Sequence, residues 1–457
     1  MTDFKKHPAS FRDPAGFVFQ SDSKWYRQIN QSYAQAYSKL KSSGLLDKLI
    51  AQNKLIPHSE IQKNLSGDKN HWLTLLPQQI PYLSFPYEWS FDALRDTAIL
   101  TLDIALESMN YGMILKDATP FNFQIVSGGP ILIDTLSFEK YDETKPWVAY
   151  RQFIETFLCP LLLSSYKSPA FIGMLSQYPN GIPVNFCAAL LPFSSKLNPL
   201  SGLHIHLQSK VSAEKTSNTK QITFTREKLT RILAHLKSGI QNLKLNQVRS
   251  EWNDYYDSTV PKKNYVEEKE RLFRSFLEIS SPVSCLDIGT NQGYFSLLAS
   301  EMEIDTVAID SDHLCVNDLY IDTRKKNIKN LLPLVIDMSN PSPSIGWDNE
   351  ERAAFLGRSK FDMVLALALI HHLAIGKNLP FEKIANTFSS LGEWLIIEFV
   401  PSSDEKSTII LGERTDMFSW YTQEIFETEF SNFYTIKEKK TIGESGRTLY
   451  LMHRNLS

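Results

Sequence analysis

The second half of the chain alternates short apolar runs with amphipathic stretches. Apolar runs of strand length recur at Val283–Ile288, Thr306–Asp310, Leu331–Asp337, Phe361–Leu369 and Trp394–Pro401. A short apolar run predicts a buried strand, and strands that alternate with helices predict a doubly wound α/β fold. Phe433–Lys439 and Thr448–Met452 follow as a closing hairpin. We therefore expect an α/β, Rossmann-like sheet of seven strands over residues 250–457.

The first half of the chain has a different pattern. Phe11–Ile29 contains two aromatic-rich runs on either side of a Ser-Asp-Ser turn, which predicts a β-hairpin. Ser32–Gln52 and Ser90–Met109 have apolar residues at helical spacing, and Ser90 is a suitable N-cap for the second of these helices. We therefore expect a mainly helical α+β domain before the α/β domain.

A change in composition suggests where the domains meet. Between Lys196 and Gln221 the chain is polar and has few large apolar residues, and an amphipathic segment follows. The predicted organisation is an N-terminal α+β domain (1–196), a polar linker or insertion (197–221), a connecting helix (222–249) and the α/β domain (250–457).

The overall composition is that of an ordinary soluble globular protein. The chain has 457 residues, of which 42% are hydrophobic and 22% are charged. A net charge of −3 does not indicate a nucleic-acid partner. The four cysteines form no C-x-x-C pair, which predicts reduced thiols and a cytoplasmic location. We expect neither a signal peptide nor a transmembrane segment, because no apolar run has the necessary length or position.

The run Val283–Phe295 carries the most specific chemistry in the sequence. It predicts a strand that ends near Asp287, a tight turn with Gly289 and Gly293, and then the start of a helix, which together form a nucleotide-type site. We expect Gly289 to allow the sharp turn and Gly293 to allow close approach of a ligand. Asp310 ends the next predicted strand, 310 − 287 = 23 positions later, near the spacing of a ribose-binding carboxylate.

The glycine pattern distinguishes two kinds of cofactor site. A dinucleotide site would have a glycine where Asn291 stands, whereas the run here is D-I-G-T-N-Q-G. This run resembles the first motif of the class I S-adenosylmethionine (SAM) methyltransferases, acidic-x-G-x-G/N-x-G. The resemblance implies a seven-stranded methyltransferase sheet and SAM as the cofactor. Three later segments, Leu334–Pro343, Ala366–Ala374 and Ile397–Pro401, resemble a bacterial subfamily that includes the nodulation-associated NoeA-type methyltransferases.

The resemblance also implies a set of cofactor-binding residues. They follow the first four predicted strands, and Asp337 is expected to meet the adenine amino group. The predicted set is Asp287, Gly289, Thr290, Asn291, Gln292, Gly293, Tyr294, Asp310, Ser311, Asp337, Met338, Leu367 and Ala368.

Three residues near strand ends are candidates for the general base of a methyl transfer. His371 and His372 lie in an H-H-L run that recurs in these methyltransferases, and Glu398 lies in the fifth predicted strand. The two histidines could instead pack or cap the start of a helix, and Glu398 could accept a hydrogen bond from the substrate. The favoured acceptor is a hydroxyl of a small molecule or glycan. A non-catalytic SAM-binding protein remains an alternative.

A second polar group lies in the N-terminal half. Asp117 and Asn122 are five apart in a loop, and Asp134 follows a short predicted hairpin. This arrangement resembles the catalytic loop and metal-binding Asp of protein-kinase-like folds, which implies Asp117 as base and Asn122 and Asp134 as Mg²⁺ ligands. No His-Arg precedes Asp117 and no Gly-rich phosphate loop is present, so a degenerate kinase-like domain is favoured. A phosphotransferase or bifunctional enzyme is the alternative, and a metal is expected only in that case.

Overall fold

The computed structural model describes residues 4–213, 225–246 and 263–455, and the chain divides into two compact units. Unit 1 comprises Met1–Val248 and Pro343–Ala353, and unit 2 comprises Arg249–Ser342 and Ala354–Ser457. The predicted boundary at 249/250 falls within residues 247–262, which lie outside the described residues. No described helix combines the length and the apolar character needed to cross a membrane.

Unit 1 contains more strand than the prediction of a mainly helical domain implied. Its main sheet has five antiparallel strands in the order β1-β2-β3-β5-β4. These strands are β1 (Lys5–Lys6), β2 (Gly16–Ser21), β3 (Lys24–Asn30), β4 (His58–Ile61) and β5 (His71–Pro77). Two small antiparallel pairs follow, β6 (Met113–Leu115) with β9 (Phe138–Lys140), and β7 (Phe123–Val126) with β8 (Gly129–Leu132).

The predicted hairpin in the first thirty residues is present as β2 and β3. Asp22 and Ser23 connect the two strands, and both have positive φ angles, 49° and 63°. Two consecutive residues of positive φ match the right-handed twist of the flanking strands, as in the two-residue turns that hairpins prefer. Phe17 and Phe19 point into the core from the same face of β2.

Helices pack around this sheet and form most of the rest of unit 1. The α-helices are Ala34–Ser42, Leu45–Ala51, Phe91–Met109, Tyr150–Phe153, Cys159–Tyr166, Val184–Leu190, Pro199–Ser201, Gln208–Ala213 and Arg226–Gln241. Shorter 3₁₀ turns are Gln31–Tyr33, Pro86–Glu88, Pro120–Asn122, Pro169–Ser176 and Phe193–Leu197, and π-helical segments are Ile154–Leu158 and Gly202–Leu207.

Two of the predicted helices show how local sequence sets helix ends. Ser90 accepts a hydrogen bond from the amide of Ala93, so it caps the helix Phe91–Met109 as predicted. The single helix predicted over Ser32–Gln52 is instead two helices, because Gly44 between them has a left-handed φ of 83°.

The polar linker predicted over 197–221 is wrong for its first half. Residues 199–213 are helical, and Leu200, His204 and Ile205 are buried. Leu200 and Ile205 are apolar and His204 is hydrogen-bonded to Tyr150, which average composition could not show. Residues 214–224 lie outside the described residues. The predicted connecting helix is present as Arg226–Gln241, which packs against Phe91–Met109 and belongs to unit 1.

Unit 2 is built on a seven-stranded sheet in the order β12-β11-β10-β13-β14-β16-β15. Its first five strands are parallel to one another, and β16 and β15 form an antiparallel hairpin at one edge. The strands are β10 (Ser284–Ile288), β11 (Asp305–Asp310), β12 (Leu331–Val335), β13 (Phe361–Ala366), β14 (Gly392–Phe399), β15 (Tyr434–Thr441) and β16 (Thr448–Arg454). The predicted seven-stranded α/β sheet is therefore present.

The helices of unit 2 connect these strands. They are Lys263–Ser280, Tyr294–Glu301, His313–Lys325, Phe355–Arg358, Phe381–Leu391, Glu405–Leu411 and Gln423–Ser431, with a π-helical segment at His372–Gly376 and a 3₁₀ turn at Thr415–Phe418. In Phe381–Leu391, buried residues recur at helical spacing and pack on the sheet. At the opposite ends of the strands, the Asp362 carboxylate accepts hydrogen bonds from the amides of Val283 and Ser284, both 3.0 Å long, and so ties β13 to β10.

A short part of unit 1 comes from the middle of the unit 2 sequence. After β12 the chain leaves unit 2 at Ser342, contributes residues 343–353 to unit 1 and returns at Ala354. We call residues 343–353 the excursion segment. Within unit 1, Glu351 pairs with Arg12, and the guanidinium of Arg352 lies 4.0 Å from the ring centre of Phe121.

Candidate cofactor site and a second cavity

Unit 2 contains a cavity of about 410 Å³ at the carboxyl ends of its parallel strands. Ile288 ends β10 and Asp310 ends β11, and both line the cavity. Asp337 follows β12, and Leu367 and Ala368 follow β13. Ligands of open α/β sheets bind at this edge, because the strand order reverses there and leaves a crevice between the loops.

The glycine loop after β10 forms one wall of this cavity. The amides of Gly289 and Thr290 both donate to the carbonyl of Ile309, at 2.8 and 3.0 Å, which ties the loop to β11. Gly289 and Asn291 line the cavity and have φ angles of 77° and 53°. Asn tolerates the left-handed region better than most residues, so it occupies a position where a dinucleotide site would have glycine.

Gly293 has a different role from the one predicted. It lies outside the cavity wall, with φ of 80°, and a Cβ placed there would stand 2.4 Å from Cδ1 of Leu319. The missing side chain therefore lets the helix Tyr294–Glu301 pack against the helix that carries Leu319.

Four other predicted cofactor residues also lie outside the cavity wall. Asp287 is buried beneath the loop, and Thr290 hydrogen-bonds Ser296 at 2.7 Å. The Tyr294 hydroxyl donates to Glu270 at 2.6 Å. These side chains, and that of Gln292, are absent from the wall because the loop turns them toward the sheet, the helices or the surface.

Asp287 supports the loop from below. Its carboxylate accepts a hydrogen bond from the Ser296 hydroxyl, and it is 3% exposed. Burial, with a smaller effect from the nearby charge of Asp310, raises the pKa of Asp287 to about 6. A buried carboxyl group that must ionise at neutral pH lowers the stability of the fold, and such groups are concentrated at functional sites.

Asp310 is held in place by backbone amides. One carboxylate oxygen accepts from the amide of Asn291 at 2.8 Å and the other accepts from the amide of Asp312 at 2.9 Å. Burial is the main cause that raises the pKa of this group, and the amide hydrogen bonds oppose it. Each oxygen has a further lone pair, so Asp310 can accept hydrogen bonds from ligand hydroxyls without moving.

The remaining predicted cofactor residues lie on the cavity. Ser311, Asp337, Met338, Leu367 and Ala368 all contribute to its wall. Asp337 accepts from the amide of Ser339 at 2.8 Å. Ala368 has a φ of 50°, a strained value for a residue with a Cβ, and such strain is concentrated at binding sites.

Glu398, predicted as a candidate base or a substrate hydrogen-bond acceptor, lies in a buried ion-pair network. Glu398 is fully buried, and its carboxylate pairs with Lys269 Nζ at 2.6 Å. It also accepts from the Tyr265 hydroxyl, and Arg447 lies 3.4 Å away. Lys269 and Arg447 lower the pKa of Glu398 against the opposing effect of burial. The group is therefore an ionised partner in a buried network, because β14 directs it into the core.

The two predicted histidines are in different environments. His371 is 0% exposed and lies outside the cavity wall, so the structure does not place it where a substrate could bind. His372 lines the cavity at the start of the π-helical segment. Burial, then the charges of Lys406 and Arg447, lowers the pKa of His372 to about 4. Its imidazole is therefore neutral at pH 7 and can accept a proton.

Several cavity residues were not predicted. Tyr265 and Lys269 come from the first helix of unit 2, and Arg447 comes from the turn before β16. Arg447 makes two hydrogen bonds to Asp404, at 2.8 and 3.0 Å. Tyr265 and Lys269 are spaced four apart on a strongly amphipathic helix, and that signal could have identified them as one inward-facing pair.

SAM fits the residues of this cavity. Gly289 leaves room that a side chain would fill, Asp310 offers free lone pairs beside it, and the volume is within the range of small-molecule sites. Asp310 and Asp337 would hold the polar groups of the nucleoside, and Lys269 would lie near the amino-acid part. The methyl group of SAM is electrophilic because it is bonded to a sulfonium centre.

Unit 1 contains a second cavity, of about 540 Å³. Asp117, Asn122 and Asp134 all line it, as expected if the kinase-like resemblance extends to structure. However, Asp134 is paired with Arg27, and Asn122 donates to the Ser137 hydroxyl at 3.1 Å. Within the described part of the chain, no group of three or more acidic, His or Cys side chains is arranged to hold a metal ion.

Comparisons with known proteins place the chain in a family. No protein-family model matches it. Nodulation protein NoeA of Rhizobium meliloti (strain 1021) is 32% identical over 461 residues, covering 98% of this chain and 95% of NoeA. Its similarity therefore extends through both units.

Two similar solved structures each cover less than half of the chain. The N-methyltransferase NodS of Bradyrhizobium japonicum WM9 covers 43% of this chain and all of its own, with 11% identity and a TM-score of 0.33. Magnesium protoporphyrin IX methyltransferase of Synechocystis PCC 6803 covers 44% of this chain and 91% of its own, with 15% identity and a TM-score of 0.31. The chain is a member of the NoeA family.

Proposed function

We propose that unit 2 transfers the methyl group of SAM to a hydroxyl of a small molecule or glycan, with His372 as the proton acceptor. The main support is that one cavity contains both the carboxylates suited to the nucleoside and a neutral imidazole. Of the three bases predicted from the sequence, His372 is the one on the cavity wall.

The proposed cofactor contacts follow from the strand ends. Asp310 accepts hydrogen bonds from the ribose hydroxyls, since its two oxygens are already oriented by the amides of Asn291 and Asp312. Asp337 accepts from the adenine amino group. Leu367 and Ala368 lie beside the methionine part and exclude water from it.

His372 suits an acceptor that loses its proton late. A neutral hydroxyl is a weak acid, but its proton becomes strongly acidic as the oxygen bonds to the methyl carbon. A base with a pKa of about 4 can then take that proton, and at pH 7 it is always in the neutral form that accepts it. The residue also orients the hydroxyl, because it accepts a hydrogen bond in the ground state.

The charges on the cavity wall do not decide between a hydroxyl and an amine acceptor. Lys269, Lys377 and Arg447 contribute cationic groups to the wall. Each of them is paired with a carboxylate, that of Glu398, Asp337 and Asp404 respectively, so the wall has no excess of positive charge that would repel an amine. This leaves the identity of the molecule that carries the hydroxyl open to experiment.

Calorimetric titration of SAM and S-adenosylhomocysteine tests the cofactor half of the proposal. Micromolar binding to the wild type and at least tenfold weaker binding to Asp310→Ala are expected. Asp305→Ala, at the exposed start of the same strand, is the matched control and should bind normally. If neither ligand binds the wild type, unit 2 is not a working cofactor site.

Methyl transfer from methyl-labelled SAM into fractionated extracts tests the acceptor half. An O-methyl ether survives mild alkali, whereas a methyl ester releases methanol, and mass spectrometry separates both from N-methyl products. We expect an ether product and a large fall in kcat for His372→Ala with little change in SAM affinity. Binding of SAM without transfer to any fraction would instead favour a non-catalytic SAM-binding protein.

A further inference from the structure

The cavity of unit 1 has no part in the proposed methyl transfer. It lies within unit 1, where the five-stranded sheet, the loops around Asp117 and Asp134, and the excursion segment all contribute to its wall. At about 540 Å³ it can accept an organic ligand of two or three sugar-sized rings.

Two polar atoms on the wall lack partners. Asp117 Oδ1 and Arg27 Nε are buried and make no hydrogen bond to any described residue. One is an acceptor and the other is a donor. Leaving such groups unpaired in a buried setting has a substantial energetic cost, so their retention in one cavity points to a ligand that supplies both a donor and an acceptor.

The charges of this cavity do not favour an anionic ligand. Its three arginines are engaged: Arg12 pairs with Glu351, Arg27 pairs with Asp134, and Arg352 lies over Phe121 and 3.4 Å from Glu351. These contacts offset the positive charge that a phosphate would need.

The histidines of the wall do not add positive charge at neutral pH. Burial lowers the pKa of both His7 and His58 below the usual value, which keeps both rings neutral. Four carboxylates share the wall with the three arginines: Asp13, Asp117, Asp134 and Glu351. The net charge of the wall is therefore not positive.

A metal ion is also disfavoured in the arrangement observed. Asp134 accepts from the amide of Leu136 at 3.0 Å and from the Ser137 hydroxyl at 2.7 Å, in addition to its pair with Arg27. Asn122 is bonded to the same hydroxyl. Both carboxylate oxygens of Asp134, which a Mg²⁺ ion would need, are thus already used.

The rest of the wall suits a neutral, hydroxyl-bearing ligand. Trp25, Tyr26, Phe85 and Phe121 are half-buried aromatic residues on the wall, and they offer faces on which a flat apolar surface can pack. Amide side chains, which both donate and accept, are interspersed among them: Gln78, Gln79, Asn122, Gln152 and Asn180.

We propose that the unit 1 cavity binds a neutral saccharide. Each sugar hydroxyl both donates and accepts, so adjacent hydroxyls can satisfy Asp117 Oδ1 and Arg27 Nε together. The apolar faces of the sugar rings pack on the aromatic residues. This site is separate from the SAM site and does not depend on which molecule is methylated.

The test is ligand binding to the full chain, measured by saturation-transfer NMR and then calorimetry. The probes are glucose, galactose, mannose, rhamnose, N-acetylglucosamine, maltotriose and cellotriose, with ATP in the presence and absence of Mg²⁺ as the competing class. We expect at least one neutral sugar to bind, no competition by SAM, and no dependence on Mg²⁺.

Substitutions at the two unpaired atoms locate the site. Asp117→Leu removes the acceptor and should weaken sugar binding at least tenfold, whereas Asp117→Asn keeps an oxygen acceptor and should retain most of the affinity. Arg27→Lys keeps a cation beside Asp134 but removes Nε, and it should also weaken binding. Arg151→Lys, at an exposed arginine of the same unit, is the control and should have no effect.

The outcomes decide the proposal directly. Sugar binding that Asp117→Leu abolishes and Asp117→Asn preserves supports it, provided that both variants keep the wild-type circular dichroism spectrum. The proposal is overturned if no probe sugar binds, if Asp117→Leu leaves sugar binding unaffected, or if Mg²⁺·ATP binds at this cavity and excludes the sugars.

Discussion

The two cavities of this chain are built in opposite ways. The unit 2 cavity lies where parallel strands end, and its main polar residues follow those strands directly in the sequence. The unit 1 cavity draws on antiparallel strands, a loop about ninety residues later and the excursion segment, more than two hundred residues further along. The first kind of site can be found from strand order alone, whereas the second requires the folded chain.

The two units also bury charge to different extents. In unit 2, Lys269 and Glu398 are 5% and 0% exposed. In unit 1, the corresponding pair on the cavity wall, Arg27 and Asp134, is 16% and 13% exposed. Because desolvation grows as exposure falls, the same kind of substitution should have a larger effect in unit 2.

The largest expected effect is at the buried pair. Lys269→Met leaves Glu398 with fewer counter-charges and should lower the free energy of unfolding by roughly 3–5 kcal/mol. Arg27→Met, the equivalent change in unit 1, should cost about 1–2 kcal/mol because water can still reach Asp134. Urea denaturation followed by circular dichroism measures both.

A double substitution sharpens this prediction. Lys269→Met with Glu398→Gln removes both charges and should recover part of the loss caused by Lys269→Met alone. If Lys269→Met and Arg27→Met lower the free energy of unfolding equally, the difference in burial between the two ion pairs does not affect their contribution to stability.

The next largest effect is at two glycines with left-handed backbones. Gly293→Ala in unit 2 adds a Cβ that would stand 2.4 Å from a Leu319 carbon, and it should cost about 3 kcal/mol from strain and overpacking together. Gly44→Ala in unit 1 has a similar φ of 83° but no neighbouring atom within 4 Å, so it should cost about 1 kcal/mol. Thermal unfolding of both variants gives the comparison, and equal costs would show that packing at Gly293 is unimportant.

A smaller effect follows from the pKa of Asp287, which is about 6 in the folded chain against 3.8 as the ordinary value. Between pH 3.8 and about 6 the folded state holds a proton that the unfolded state has lost. The contribution of Asp287 to the free energy of unfolding therefore becomes more favourable as pH falls from 7 toward 4. At pH 7.5 the buried carboxylate is ionised and destabilising. Asp287→Asn should therefore stabilise the protein by about 2 kcal/mol at pH 7.5 and by much less at pH 4.5.

Unfolding at the two pH values, with the exposed Asp305→Asn as control, tests this prediction. A stabilisation by Asp287→Asn that is the same at both pH values would contradict it. Because Asp287 lies outside the cavity wall, Asp287→Asn should also weaken SAM binding less than Asp310→Ala does.

The smallest effects are at two non-glycine residues in the left-handed region. Asn291 in unit 2 has a φ of 53° and should tolerate replacement by glycine with a change within about 0.5 kcal/mol. Ser23 in unit 1 has a φ of 63° in the β2–β3 turn, and Ser23→Gly should stabilise by up to about 1 kcal/mol. A clear loss in Asn291→Gly would show that the asparagine side chain itself supports the loop.

Most of unit 2 could be predicted because most neighbouring strands of its sheet are also consecutive in the chain. Each apolar run became a strand, and the polar residue after it came to the shared edge. The pattern of apolar and polar positions could not show the direction in which each side chain points. Gly293 and Glu398 are close to the site in sequence, but one packs two helices together and the other points into the core.

Unit 1 was predicted less completely for a different reason. The loop with Asp117, Asn122 and Asp134 was recognised, and the three side chains do share one cavity. Their partners were not predicted, because Arg27 and Asp134 are 134 − 27 = 107 positions apart in the sequence and Glu351 comes from beyond β12. Contacts of such long range leave no periodic signal in one sequence.

The excursion segment has a consequence for how this protein can be divided. Since residues 343–353 complete unit 1 from within the sequence of unit 2, no single cut yields two intact halves. A fragment that ends before residue 249 would lack Glu351 and Arg352. A fragment that starts at residue 249 would contain residues 343–353 without the rest of unit 1. A single crossover between two related genes would therefore not exchange either unit whole.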